Sequence, residues 1–87
     1  MKKLKKKKLK KKKVNMKIID SKEFGNFIRK NRKMLGYTQT YLSEVSGLSV
    51  SFISDVENGK STVELGKTLF LASLVGIDVT LSSRGAK

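Results

Sequence analysis

Residues 39–58, QTYLSEVSGLSVSFISDVEN, constrain the fold more than any other part of the chain. Thr38 is placed to cap a helix from Gln39 to about Ser46, which would bury Leu42 and Val45, and Gly47 stops it. Ser49 caps the next helix, which runs to Asn58, and Asn58-Gly59 supplies its end. The small Ser43 lets the two helices approach closely. Wound at about 100° per residue, the second of them turns Phe52, Ile53 and Val56 to one side and Val50, Ser51, Ser54, Asp55 and Asn58 to the other. Any surface helix is amphipathic in this way, so the pattern alone leaves two readings open. The outward face is nevertheless compact, with short donors and acceptors and one valine, as base edges and a thymine methyl require.

Two helices of about eight residues joined by a tight turn holding glycine suit a helix-turn-helix. The flanks extend the plan. Asp20-Ser21 opens a preceding helix with Glu23 in its first turn. There Phe24, Phe27, Ile28 and Leu35 share a face, Met34 lies at its edge, Lys22, Arg29 and Lys33 lie opposite, and Arg32 falls at the border. Gly36 ends that helix. Ser61 or Thr62 opens a fourth, ended by Gly76, with two apolar stripes: Leu65, Leu69 and Ala72 suited to the core, and Val63, Phe70 and Leu74 on the other side. Ile77–Ser82 then alternates apolar and polar, which reads as a short strand. A lone strand has no ladder partner within the chain. The expectation is therefore a dimer that buries Val63, Phe70, Leu74, Ile77, Val79 and Leu81, with two copies of the strand paired across a two-fold axis.

Charge divides the chain unevenly. Residues 1–13 carry ten of the twenty Lys+Arg and no acid, leaving a surplus of three positive charges from position 14 on. The tail is low-complexity and self-repelling, so residues 1–15 are expected to be disordered when free, with residues 16–87 forming the domain. Met16 reads like an ordinary protein start, and whether the tail is translated is a question for intact mass. If present, it could add non-specific DNA affinity, meet an acidic membrane surface, or simply be solvated. No continuous apolar stretch follows it, which argues against a signal peptide or a membrane span and for a cytoplasmic, nucleoid-associated protein. Cysteine and histidine are absent, which excludes disulfides and Cys/His zinc sites and leaves no familiar catalytic constellation. No enzyme activity, metal or cofactor is implied.

Phe24, Ile28, Arg32, Gly36, Thr38-Gln39, Leu42, Gly47, Leu48-Ser49, Ile53-Ser54, Glu57-Asn58-Gly59, Leu69 and Gly76 together make residues 24–76 closely resemble the XRE/Cro-type helix-turn-helix family. Phe52 to Lys60, FISDVENGK, followed by Thr62-Val63, looks most like the HipB-type antitoxins of that family, which partner serine/threonine-kinase toxins and end in a strand. The resemblance implies an all-α, four-helix, lambda-repressor-like domain with the short C-terminal β-strand. It departs from the family in Ser43, where alanine is usual, and at Val50 and Ser51, where relatives often carry longer polar or basic residues.

Carried onto this chain, the resemblance implies that Gln39 meets a phosphate and that Ser49, Val50, Ser51, Ser54 and Asp55 face the major groove. Asn58 and Lys60 become backbone contacts. Bland readings stand beside these: a solvated Gln39 or Lys60, and an Asp55 that organises its neighbours. Arg32 and Glu57 are implied to form a partly buried ion pair. The partners implied are double-stranded DNA with a palindromic operator, a second copy of the chain, and a HipA-like kinase toxin. The function implied is that of a sequence-specific transcriptional repressor and antitoxin autoregulating its operon. A phage or restriction-type controller, a helix-turn-helix that binds proteins instead of DNA, and a polyanion binder driven by the tail are the alternatives.

Overall fold

The computed structural model describes residues 16–85, and the basic tail expected to be disordered lies outside them. Four helices follow one another: α1 (Ser21–Met34), α2 (Gln39–Ser46), α3 (Val50–Glu57) and α4 (Leu65–Leu74). Each start is fixed by a side chain that takes an otherwise unpaired backbone N–H. Asp20 accepts from Glu23, Thr38 from Tyr41 and Ser49 from Phe52, at 2.9 to 3.0 Å.

Helices α1 and α2 both pack on α3. Ile28, Leu42, Leu48, Ile53, Val56, Leu71, Ala72 and Val75 form the core, with Phe24, Tyr37, Phe52, Val63, Leu74 and Ile77 leaning on it. The crossing of α1 over the end of α3 is tight. Gly25 is buried there, and a Cβ at that position would overlap the Val56 carbonyl oxygen and stand 2.9 Å from that of Glu57. Two further hydrogen bonds clamp α1 at its ends. Ser21 Oγ donates to the Gly59 carbonyl at 2.9 Å, and Asn31 Nδ2 donates to the Val75 carbonyl at 3.1 Å.

Several expectations are corrected. Helix α4 starts at Leu65, not near Ser61, because the Glu64 carboxylate caps it by accepting from Gly66 and Lys67 at 3.1 and 3.3 Å. Its inward stripe is Thr68, Leu71, Ala72 and Val75, while Leu65 and Leu69 are exposed. Val63 and Leu74, expected to face water in a monomer, instead lean on the core, as does Ile77. Phe70, Val79 and Leu81 do stand in solvent. Leu35 and Val45 are exposed too, Leu35 because it is already the C-cap of α1. In the single chain residues 77–83 belong to no helix or sheet, and the strand expected there would have its ladder partner only in a second copy.

Candidate nucleic-acid interface

Glu57 closes the last turn of α3 with a carboxylate of which almost nothing reaches solvent. Arg32 approaches it from α1 as a two-pronged partner, Nε to Oε2 at 2.6 Å and Nη2 to Oε1 at 2.8 Å. Its remaining nitrogen donates to the Tyr37 carbonyl at 2.9 Å, so the α1–α2 turn is tied into the same cluster. Gln39 Nε2 donates to Glu57 Oε1 at 3.0 Å, and Arg29 Nε reaches that oxygen at 3.4 Å. Burial pushes the Glu57 carboxyl up, but the hydrogen bonds from Arg32, Gln39 and Arg29 and the Arg32 charge outweigh it and hold it below its ordinary value. The hydrogen bond to Glu57 likewise raises Arg32. Every buried side-chain nitrogen and oxygen among the described residues has a partner.

This cluster fixes α3 against α1 and the start of α2, and leaves one face of α3 bare. Val50 and Ser51 are exposed, with Ser54 and Asp55 half-exposed beside them. Ser49 uses its oxygen as the α3 cap, which leaves its O–H free to donate. Asn58 Oδ1 accepts from Arg29 Nη2 at 3.3 Å, and its amide nitrogen lies 3.4 Å from Ser54 Oγ. Lys60 Nζ stands 3.5 Å from Asp55 Oδ2. Gln39 is half-buried, and one of its two amide hydrogens is committed to Glu57.

The structure thus brings Ser49, Val50, Ser51, Ser54, Asp55, Asn58 and Lys60 onto one side of α3, with Gln39 at the neighbouring start of α2. Arg32 and Glu57 pair as expected, and more of the bond is buried than the border positions suggested. Arg29 escaped the sequence reading: it lies across from the apolar face of α1, and nothing in that helical pattern reveals that Glu57 and Asn58 come within its reach. Gly25 also escaped, since a glycine inside a helix signals only weakened propensity until a crossing backbone is seen.

Two short helices about a tight turn, the second held by a buried ion pair and bare on its outer face, define a helix-turn-helix domain. The helix-turn-helix family profile matches residues 28–81. An uncharacterized HTH-type transcriptional regulator, y4mF of Sinorhizobium fredii (strain NBRC 101917 / NGR234), is 31% identical over 65 residues, covering 75% of this chain and 86% of that protein. The ImmF control region 10 kDa protein of Bacillus phage phi105 is 28% identical over 64 residues, covering 74% and 71%. The solved HipB-O4 20mer complex contains a chain with the same fold, at a TM-score of 0.72 and 23% identity, covering 79% of this chain and 97% of that one. The chain belongs to the XRE-type helix-turn-helix family of transcriptional regulators. Among the described residues no helix is long and apolar enough to cross a membrane.

Proposed function

We propose that the protein is a cytoplasmic, sequence-specific DNA-binding repressor that works as a dimer, and that it is the antitoxin of a pair whose toxin is a HipA-like kinase. The observation that carries DNA binding is the exposed face of α3. Val50, Ser51 and Ser54 offer short side chains at the surface of a helix whose opposite side buries Ile53 and Val56, so the reading groups are held in place and the helix can approach base pairs closely. Ser49, Asn58 and the free amide hydrogen of Gln39 lie at its margins, where phosphates would pass. The antitoxin reading leans on the likeness of FISDVENGK to HipB-type antitoxins and on the shared fold of the HipB chain.

Dimerisation is supported by the apolar side chains left in water on α4 and beyond it. Leu65, Phe70 and Leu81 are 69%, 45% and 96% exposed, and Leu69 and Val79 stand in solvent with them. Residues 77–82 keep the alternation of a strand and have no strand partner among the described residues, which a second copy would supply.

The deciding experiment is a shift assay of the full chain on duplex DNA from upstream of its own gene, with random duplex of equal length as competitor. Preferential retention of the upstream fragment is expected, and equal competition by random DNA would reject the repressor reading. A kinase that co-purifies with the chain from its own cells would support the antitoxin role, and its absence beside a restriction enzyme gene would favour a controller protein instead.

A further inference from the structure

We propose that Asp55 and Lys60 form a single base-reading unit in which Lys60 holds and neutralises the Asp55 carboxylate so that it can accept from a cytosine amino group. The inference rests on the DNA-binding reading of α3 and specifies one position of its site. It starts from the end of that helix. Gly59 takes a positive φ of 84°, and two backbone bonds close the turn: Gly59 N–H to the Val56 carbonyl at 3.0 Å and Lys60 N–H to the Asp55 carbonyl at 3.0 Å. This reversal returns Lys60 alongside the last turn instead of carrying it onward. Its ammonium then reaches Asp55 Oδ2 at 3.5 Å across a spacing of five residues, which an uninterrupted helix would not present.

Asp55 shares the outer side of α3 with Val50 and Ser51, the side the interface needs. A bare carboxylate there would be repelled by every nearby phosphate. Lys60 removes that charge locally while occupying only Oδ2. Both side chains are about half exposed, and Oδ1 accepts no hydrogen bond from any of the described residues, which leaves it open as an acceptor. In the major groove the exocyclic donors are the amino groups of cytosine and adenine, and an isolated carboxylate acceptor matches cytosine. Lys60 is therefore a positioning residue for Asp55, not an independent phosphate contact.

The two roles separate in a thermodynamic cycle. The full chain is used to select from a pool of random-sequence duplexes, alongside Asp55→Ala, Lys60→Gln and the double variant. Alanine is used at 55 because asparagine would itself read adenine. The wild type is expected to enrich sites with one C·G pair fixed in each half-site, which Asp55→Ala releases while the other positions stay fixed. Lys60→Gln is expected to weaken binding to the selected site by about tenfold or more, and adding Asp55→Ala to it should restore much of the loss. Equal losses for Lys60→Gln and the double variant would show an ordinary phosphate contact and overturn the proposal. So would a C·G preference that survives Asp55→Ala. If the wild type enriches no sequence, the repressor reading fails first and takes this one with it. Both residues lie on the surface, and unchanged melting temperatures confirm that the variants fold.

Discussion

At the scale of single residues, Glu57 carries the most consequence, because one carboxylate takes bonds from three side chains on two other segments. Glu57→Gln leaves Arg32 facing a neutral group in a buried site, a change that for well-buried pairs costs about 3–5 kcal/mol. In a domain this small that corresponds to a fall in melting temperature of roughly 10 °C or more, readable by calorimetry. The same group sets the acid limit of stability. Its folded pKa lies below the unfolded value of about 4.3, so its contribution is fully present above that value and is lost as pH falls through the folded pKa. Stability of the wild type should thus be flat near neutrality and decline below about pH 4, with a shallower decline in Glu57→Gln. An acid limb of equal steepness in both proteins would place the titration elsewhere. Gly25→Ala tests the neighbouring contact: overpacking typically costs about 1–3 kcal/mol, and this Cβ meets rigid backbone, so the upper end is expected in a denaturant melt. The Arg32–Glu57 pair was legible because both residues sit at the edges of apolar faces and match a family pattern. Gly25 and Arg29 were not, because the constraint on each comes from the element that crosses it.

Among the elements, α2 and α3 were legible almost to the residue, since Thr38, Gly47, Ser49 and Gly59 mark their ends chemically. Helix α4 was not, for two physical reasons. Ser61 and Thr62 are better intrinsic caps than Glu64, yet the chain spends them in a turn and caps with the carboxylate. The helix also carries Leu65, Leu69, Phe70, Leu71, Ala72 and Leu74, so apolar residues fall nearly all round it and periodicity cannot choose the inner face. The structure chooses Leu71, Ala72 and Val75. Truncation separates the two sides. Leu71→Ala should cost about 2–5 kcal/mol in unfolding free energy at any protein concentration. Leu65→Ala and Leu69→Ala should change the fold's own stability by less than about 1 kcal/mol, since they are exposed, while weakening self-association measured by sedimentation. Large, concentration-independent losses from both sets would mean that the outer side is part of the monomer's core.

For the whole molecule, charge and symmetry act together. A two-fold dimer would set two α3 helices about one DNA turn, ~34 Å, apart. Val79→Pro, which removes a backbone donor where strand pairing would need one, should dissociate it and weaken operator binding in parallel. The charge surplus lies elsewhere, in the ten lysines of residues 1–13. A run of near-identical lysines carries no pattern of donors and acceptors to match against base edges, so the contribution expected of it is the release of counterions from phosphates, which is indifferent to sequence. Each phosphate it neutralises steepens the log–log salt dependence of binding by about 0.9. Deleting residues 1–15 should therefore lower affinity for operator and random duplex by the same factor, leave their ratio unchanged, and flatten the salt slope by several units in titrations between low and physiological salt. A slope that does not change would mean the lysines never reach the duplex. A ratio that falls with the deletion would mean that the tail reads sequence, and that the exposed face of α3 is only part of the recognition surface.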